Sequence, residues 1–234
     1  MNTGTLHLLP NVLDENGFHV LPPYLGELLG QIRIYYVEDL RTARRFLRAM
    51  NRGIDIDQLE FHLLNEHEQD SLQFAAGLFR SGQTIGYLSD AGCPAVADPG
   101  QELVRIAHEA GARVQPHVGP NSILLALMAS GFNGQQFKFH GYLPNKQPQL
   151  GQSIRELEAE SRRLGCTQLF IETPYRNRQL LQELIRHGHP GTRLCIAAGL
   201  TGPEEIIRTR TLAEWKNDPT DFHKIPAVFV LFAS

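Results

Sequence analysis

The chain has few cysteines and no long hydrophobic run. These two absences disfavour a disulfide-bonded protein and a membrane-spanning protein. Its three cysteines, Cys93, Cys166 and Cys195, are odd in number and form no CxxC pair, which favours free intracellular thiols over disulfides or zinc ligands. The longest apolar run, Ala227 to Ala233, has strand length, so no membrane span is expected. The first residues lack a basic segment followed by an apolar one, which predicts no secretory signal. We therefore expect a cytoplasmic protein with no membrane partner.

Several common catalytic and nucleotide-binding motifs are also missing. The sequence contains no GxGxxG after its first apolar run and no GxxxxGK[ST], which disfavours ordinary dinucleotide binding and P-loop hydrolysis. It contains neither HExxH nor GxSxG, so zinc proteases and α/β-hydrolases are disfavoured. Of its ten histidines, most, such as His7, His62 and His140, stand in predicted strands, where a lone half-buried histidine is usually structural. We expect no metal site.

Apolar runs alternate with segments of helical periodicity along almost the whole chain. Repeated strand–helix–strand units predict a mostly parallel sheet in the first half, and closer strands predict a mixed sheet in the second. Gly119-Pro120 interrupts the pattern, so we predict two α/β domains, residues 1–118 and 119–234, with a ligand cleft between them. The predicted strands are Thr5–Leu9, Ile32–Val37, Glu60–Leu64, Thr84–Leu88, Arg113–His117, Phe137–Tyr142, Gln168–Glu172, Leu194–Leu200, Glu205–Arg210 and Val228–Phe232.

Helices are predicted between these strands. Ser153 and Glu156 have the spacing of a capping box, which predicts a helix start at that point. The predicted helices are Leu40–Met50, Ser71–Arg80, Glu102–Glu109, Ser122–Ala129, Ile154–Leu164 and Gln179–Arg186.

The segment from Ser89 to Gly100 carries an unusual number of backbone-constraining residues. It follows the predicted strand Thr84–Leu88, and ligands bind at the carboxyl ends of strands in open α/β sheets. We expect Asp90 to face a ligand, and Asp98-Pro99 to form an N-cap with proline at the first helical position. Four other predicted strands also end in Gly/Pro-bearing turns, which together are typical of the rim of a cleft. They are Gly119–Ser122, Gly141–Pro144, Glu172–Arg176 and Gly199–Gly202.

One predicted helix face is strongly basic, although the chain as a whole is not. The formal net charge of the chain is -3, and this acidic balance argues against a protein that coats nucleic acid. At about 100° per residue, five arginines share one arc, and apolar residues occupy the opposite arc. A solvated charged face explains this pattern as well as a binding face does, but no acidic residue on the arc neutralises it. Phosphates or an acidic partner subunit are its natural ligands. The arginines are Arg41, Arg44, Arg45, Arg48 and Arg52.

Six segments occur in the order found in one known family. Ser89–Gly100 matches a segment of the type SDAGTPxxxDPG, and Glu172–Arg176 reads ETPYR. The others are Glu38–Arg41, Leu64–Glu66 with His67 beyond it, Gly119–Ser122 and Gly141–Pro144. In these segments the chain resembles the tetrapyrrole methylase superfamily of S-adenosylmethionine-dependent methyltransferases. Within it, the chain is most similar to bacterial enzymes that methylate a cytidine ribose 2′-hydroxyl in small-subunit ribosomal RNA.

The sequence departs from that family at two places. The family's usual Thr-Pro-Ile-Gly-Asn-Leu-x-Asp is replaced by residues 9–17, and its Arg-Glu-Leu-Thr-Lys by Ala198-Gly199-Leu200-Thr201-Gly202. The second segment therefore lacks both the glutamate and the lysine of the family, which predicts that the chain belongs to a divergent branch of it.

The resemblance implies S-adenosylmethionine as cofactor, RNA or the small ribosomal subunit as partner, and a homodimer. It implies cofactor contacts at Ser89, Asp90, Ala91, Gly92, Pro94, Ser122, Tyr142, Leu200 and Thr201. RNA phosphates would meet Arg41, Arg44, Arg45, Arg48 and Arg176, although Arg176 is equally suited to an internal ion pair with Glu172. A base for the hydroxyl proton is sought among Glu66, His67, Asp90 and Glu172, without a choice between them.

Two other functions remain open at this point. The same cofactor would serve a methyltransferase whose substrate is a tetrapyrrole or another small metabolite. The altered segment around Thr201 also fits a degenerate cofactor-binding module without turnover.

Overall fold

A computed structural model of the protein describes residues 3–64 and 69–234, apart from the side chains of residues 69 and 70. The chain forms two compact units, Met1–Asn121 and Ser122–Ser234, called the N-terminal unit and the C-terminal unit below. The predicted domains, residues 1–118 and 119–234, stay a prediction.

The N-terminal unit is built on a parallel five-stranded sheet of order β3-β2-β4-β1-β5. Leu9 pairs with Leu88 at the carboxyl ends of β1 and β4, and Val37 of β2 lies opposite Leu88 on the other side. The strands are β1 (Thr5–Leu9), β2 (Ile34–Val37), β3 (Glu60–Leu63), β4 (Thr84–Leu88) and β5 (Arg113–Pro116). The helices are α1 (Tyr24–Gln31), α2 (Leu40–Met50), α3 (Gln69–Arg80) and α4 (Gly100–Glu109).

Alternating apolar residues give this sheet two buried faces. Leu9, Tyr35 and Leu88 pack with residues of α1 and α2 on one face. Leu6, Tyr36 and Ile85 pack with residues of α3 and α4 on the other. Since successive strand residues point to opposite faces, a sheet covered on both sides requires the nearly continuous apolar strands seen here.

The C-terminal unit contains a mixed sheet of order β6-β7-β10-β8-β9. β6 runs parallel to β7, while β10 is antiparallel to both β7 and β8, and β9 is antiparallel to β8. The strands are β6 (Phe137–Tyr142), β7 (Thr167–Glu172), β8 (Arg193–Ala198), β9 (Ile206–Thr211) and β10 (Ala227–Phe232). The helices are α5 (Ser122–Ser130), α6 (Gln149–Leu164), α7 (Asn177–His187) and α8 (Leu212–Trp215).

The predicted fold class, a mostly parallel first sheet and a mixed second one, is confirmed. Two of the local helix predictions are wrong, and two helices were not predicted. α6 begins at Gln149 with Pro148 as its N-cap, so Ser153 and Glu156 lie inside the helix and form no capping box. Arg52 lies beyond the end of α2 and is not on its face. Helices α1 and α8 were not predicted.

Among the residues that the structure describes, no helix combines the length and hydrophobicity that crossing a membrane requires.

Candidate functional site

The loop after β4 is held in place by Asn11, which follows β1 at the same edge of the sheet. The buried Asn11 side chain donates from Nδ2 to the carbonyl oxygens of Ser89 at 3.0 Å and Asp90 at 3.1 Å. Its backbone N–H donates to the Gly92 carbonyl at 2.9 Å, and its Oδ1 accepts from the Val12 N–H. One asparagine therefore fixes the carbonyls of Ser89, Asp90 and Gly92, three residues for which the family resemblance implies cofactor contacts.

Three carboxylates converge near this loop. The Asp90 N–H donates to Oε1 of Glu38, the residue that follows β2, at 2.9 Å. Burial raises the pKa of Glu38, and the neighbouring Asp98 and Asp90 carboxylates raise it further. Partial burial likewise raises the pKa of Asp90, with a contribution from Asp39. The strand ends of the N-terminal unit thus form an acidic edge.

Three residues of the same loop lie in the left-handed backbone region. Gly92 has φ +71°, Ala95 has φ +64° and Ala97 has φ +62°. Non-glycine residues rarely adopt this conformation, and such strain clusters at ligand-binding sites. A Cβ on Gly92 would lie 3.1 Å from Leu13 Cδ2 and 3.4 Å from the Pro120 oxygen, so the loop also fits tightly against its neighbours.

The Asp98 side chain stabilises the start of α4, and this helix starts one residue later than predicted. Its carboxylate accepts from the N–H of Ala95 and, at 2.7 Å, from the N–H of Gly100. The helix begins at Gly100 with Pro99 as N-cap, so the expected cap on Asp98 with Pro99 as first helical residue is shifted by one. Asp98 nevertheless satisfies a free N–H at the helix start, which is the task of a capping side chain.

A cavity of about 380 Å³ opens in the N-terminal unit beside this loop. It brings Asp90 and Ala91 of the loop together with Arg45 of α2 and with the altered N-terminal segment. Its volume is at the lower end of the range of small-molecule sites. The lining residues are Asn11, Val12, Leu13, Asp14, Glu15, Asn16, Phe18, Thr42, Arg45, Phe46, Ala49, Asp90 and Ala91.

Helix α2 presents four of the predicted arginines to solvent, namely Arg41, Arg44, Arg45 and Arg48. Its opposite side buries Ala43, Phe46 and Leu47 in the core. In the described parts of the chain, none of the four arginines forms an ion pair. The outer face of α2 therefore concentrates positive charge that no ion pair among the described residues neutralises.

In the C-terminal unit, β6, β7 and β8 run in the same direction, so their carboxyl ends share one edge of the sheet. Ala227 lies between Glu172 and Ala198 at this edge and pairs with both. Tyr142 ends β6 and is 63% exposed. The turns after β6, β7 and β8 that are predicted to hold a ligand therefore lie at the same edge of this sheet.

Thr201, in the turn after β8, has two unusual properties. Its φ is +66°, a strained value for a β-branched residue. Its N–H donates to Glu205 Oε2 at 2.9 Å, but its buried Oγ1 has no hydrogen-bond partner among the described residues. A buried hydroxyl without a partner is costly, and a ligand atom is one group that would satisfy it.

Glu172 and Arg176 form an ion pair at 3.3 Å. Glu172 Oε1 also accepts from the Thr173 N–H at 2.7 Å, and the Arg176 guanidinium donates to the Asn145 carbonyl at 3.4 Å. The carboxylate is buried and the guanidinium partly exposed. The alternative internal pairing of these two residues is therefore present in the structure.

The predicted site residues divide between the two units. Ser89, Asp90, Ala91, Gly92 and Pro94 share one loop of the N-terminal unit. In the C-terminal unit, Ser122 begins α5, Tyr142 ends β6, and Leu200 and Thr201 lie in the turn after β8. Glu66 and His67 lie outside the described residues. The roles of all these predicted site residues stay predictions. Within residues 3–64 and 69–234, no group of three potential metal ligands occurs.

Sequence reasoning missed the roles of Asn11 and Glu38. Glu38 directly follows β2 and Asn11 lies two residues after β1, and these positions were the available signal. Their partners in the loop are 78 and 52 positions away, so no local pattern identifies them.

Comparison with known proteins decides the family. The model for tetrapyrrole (corrin/porphyrin) methylases matches residues 29–216. The chain belongs to the tetrapyrrole methylase family. It is 32% identical over 188 residues to a ribosomal RNA small subunit methyltransferase I of Vibrio cholerae, an alignment that covers 80% of this chain. The chain spans 62% of the length of that relative.

Solved structures show that the fold is the tetrapyrrole methylase fold. A uroporphyrin-III C-methyltransferase from Thermus thermophilus, complexed with S-adenosyl homocysteine, superposes with a TM-score of 0.55 at 20% identity, covering 98% of this chain and 97% of the other. A diphthine synthase superposes with a TM-score of 0.68 at 13% identity, covering 98% and 90%. The predicted family and fold are both confirmed.

Proposed function

We propose that this protein is an S-adenosylmethionine-dependent methyltransferase that acts on a ribose 2′-hydroxyl of small-subunit ribosomal RNA. The observation that supports it most directly is the cavity in the N-terminal unit, which joins the predicted cofactor loop at Asp90 and Ala91 to Arg45 of the basic helix. A methyl donor beside the loop and a phosphate beside the arginine are the two ligands that this arrangement suits.

The residues present fit the proposed cofactor. The sulfonium supplies an already activated methyl group, so the protein needs chiefly to bind and align it. The acidic edge of Glu38 and Asp90 matches a cationic ligand, and the unpartnered Thr201 hydroxyl offers a hydrogen bond. The proposed contacts are Ser89, Asp90, Ala91, Gly92, Pro94, Ser122, Tyr142, Leu200 and Thr201.

The outer face of α2 fits a polyanionic substrate. Four arginines without ion-pair partners in the described residues would each meet a backbone phosphate, and release of counterions makes such binding strongly salt-dependent. Arg176 remains a proposed phosphate contact, but its pairing with Glu172 at 3.3 Å makes it the weaker one.

Proton removal from the acceptor hydroxyl requires a base. Among the described candidates, Asp90 combines a raised pKa with a position on the cavity wall. Glu172 is already paired with Arg176. We therefore place Asp90 ahead of Glu172 as the residue that accepts the proton.

The family resemblance also suggests a homodimer that works on the small ribosomal subunit in the cytoplasm. Sedimentation equilibrium tests the oligomeric state, with twice the chain mass of 26.3 kDa expected.

Substitution of Thr201 tests the cofactor assignment. Thr201→Val keeps the shape of the side chain and removes its hydroxyl. Because that hydroxyl is buried and unpartnered, the unliganded variant should be at least as stable as the wild type, whereas affinity for S-adenosylmethionine should fall about 10-fold in calorimetry. Unchanged affinity would remove Thr201 from the site.

Substitution of the α2 arginines tests the RNA assignment. Arg44→Gln combined with Arg48→Gln should weaken binding to small-subunit RNA and flatten its salt dependence by about two phosphate contacts, or a slope of ~1.4–1.8. Arg105→Gln is the matched control, since Arg105 is exposed but paired with Glu102 and Glu109. An equal effect of the control would mean that general charge, not this face, binds RNA.

A further inference from the structure

The most exposed aromatic side chain in the described residues lies at the strand-end edge of the C-terminal unit. Tyr175 is 73% exposed and sits in the short 3-10 helix Pro174–Arg176 that follows β7. Tyrosine is enriched at binding interfaces because its ring is apolar while its hydroxyl stays in contact with water. Tyr175 does not line the cavity described above and has no part in the proposed methyl transfer.

Lys224 is held next to the Tyr175 ring. Its ammonium nitrogen lies 5.7 Å from the ring centroid, within the range of a cation–π contact. Its backbone N–H donates to the Pro174 carbonyl at 3.1 Å, and its φ is +64°. A lysine in the left-handed region carries a conformational cost, so the surrounding structure must hold it there.

A buried asparagine supplies that support. Asn177, fully buried at the start of α7, donates from Nδ2 to the Ile225 carbonyl at 2.7 Å and to the Phe222 carbonyl at 3.4 Å. The turn that carries Lys224 is thereby tied to the turn that carries Tyr175. The aromatic ring and the cation form a preorganised pair, which lowers the entropic cost of binding a ligand.

Nearby carboxylates do not neutralise this pair. Glu172 is occupied by Arg176 at 3.3 Å, and Asp221 by Arg178 at 2.9 Å. Lys224 forms no ion pair with any residue that the structure describes. The surface therefore combines one open aromatic face with an uncompensated positive charge.

We propose that Tyr175 and Lys224 form a stacking platform for an unpaired base of the RNA, with the Lys224 ammonium at an adjacent phosphate. Single-stranded nucleic acids are bound by this combination of aromatic faces and cations. A single ring flanked by charged residues is a poor membrane anchor, which requires a larger apolar surface. The proposal rests on the proposed function, because RNA is the substrate class assumed there.

Binding of a fluorescein-labelled single-stranded RNA octamer, followed by anisotropy without cofactor, tests the platform. Tyr175→Ala should weaken binding about 5- to 150-fold, the range found for loss of one base–aromatic stack. Tyr175→Phe should bind like the wild type and Tyr175→Trp at least as well. Lys224→Gln should reduce the salt dependence by about one contact, or a slope of ~0.7.

Phe137→Ala is the matched control, since Phe137 is 42% exposed at the amino end of β6, the opposite edge of the sheet. Fluorescence of the single tryptophan, the buried Trp215, checks that the C-terminal unit of each variant is folded. The platform is excluded if Tyr175→Ala binds the octamer as the wild type does, or if Phe137→Ala loses as much affinity. Wild-type binding to anionic vesicles but not to the octamer would also overturn it.

The outcome is separable from that of the proposed function. Octamer binding that depends on Tyr175, in a protein that transfers no methyl group, supports the platform and contradicts the methyltransferase. Methyl transfer to small subunits with the same KM and kcat in Tyr175→Ala as in the wild type supports the enzyme and contradicts the platform. A raised KM with unchanged kcat is the result expected if both hold.

Discussion

Removal of the Asn11 side chain should loosen the loop that we propose binds the cofactor. Asn11→Ala deletes two donations, to the Ser89 and Asp90 carbonyls, and one acceptance, from the Val12 N–H. The Ser89 carbonyl belongs to a buried residue, and leaving such a group unpaired costs about 1–3 kcal/mol. The other two groups are part-buried and contribute about 0.5–1 kcal/mol each. The expected loss in the free energy of unfolding is therefore about 2–5 kcal/mol.

Urea unfolding followed by far-UV circular dichroism measures this loss, and calorimetry with S-adenosylmethionine measures its effect on binding. Asn11→Asp separates hydrogen bonding from packing, because it keeps the side-chain shape but cannot donate when ionised and places a negative charge against two carbonyls. It should lose at least as much stability as Asn11→Ala.

Asn217→Ala is the control, since Asn217 is exposed and its side chain makes no hydrogen bond in the described part of the chain. A loss below about 0.5 kcal/mol for Asn11→Ala would refute the reasoning, because it would mean that solvent replaces the three bonds at little cost. Unchanged cofactor affinity in a destabilised variant would separate the loop from the cofactor site.

Three further predictions concern the N-terminal unit. Burial, together with His117 and Arg113, lowers the pKa of His7 to about 4 from 6.5, so the unfolded chain binds more protons than the folded chain between these pH values. The free energy of unfolding should therefore fall as the pH drops through that window, by at most ~1.4 kcal/mol per pH unit. His7→Gln should flatten this pH dependence in urea titrations at pH 4.5 to 7. Gly100→Ala should lower the melting temperature because its Cβ would lie 2.0 Å from Cε1 of the buried Tyr87 ring. Gly77→Ala is the control and should not lower it, since a Cβ at this helical position would have no atom within 4 Å. Equal melting temperatures of the two variants would contradict the close packing of Gly100 against Tyr87. Gly92→Leu, at φ +71° beside Leu13, should abolish cofactor binding in calorimetry, and wild-type affinity would show that the loop is not the cofactor wall.

Strand positions were predictable because apolar runs and turn residues delimit them. Thr5–Leu9, Thr84–Leu88 and Phe137–Tyr142 have the predicted bounds, and the other strands agree within a few residues. Leu194–Leu200 was extended too far, since β8 ends at Ala198 and the left-handed Gly199 turns the chain.

Helices were less predictable where tertiary contacts override local propensity. α1 contains two glycines, which disfavour a helix, yet burial of Leu25 and Leu29 on one face stabilises it. Ser153 and Glu156 have capping-box spacing, but Pro148 sets the start of α6 one turn earlier.

The site was predictable as a set of strand-end turns but not as a network. The segment from Ser89 to Gly100 was identified from its composition, whereas the residues that hold it come from other strands. Neither the bonds of Asn11 nor the bond of Glu38 leaves a local pattern, because both arise only when parallel strands bring their carboxyl ends together. The unpartnered hydroxyl of Thr201 is likewise a property of the folded state alone.

Transfer of a labelled methyl group from S-adenosylmethionine tests the central proposal most directly. The protein is incubated with isolated small ribosomal subunits or with total metabolite extract, and the labelled RNA is then hydrolysed in alkali. We predict label in the subunit RNA, retained in an alkali-resistant dinucleotide because a 2′-O-methyl group blocks cleavage of the adjacent phosphodiester. Label in a small metabolite, or no transfer to either despite measurable cofactor binding, would contradict the account.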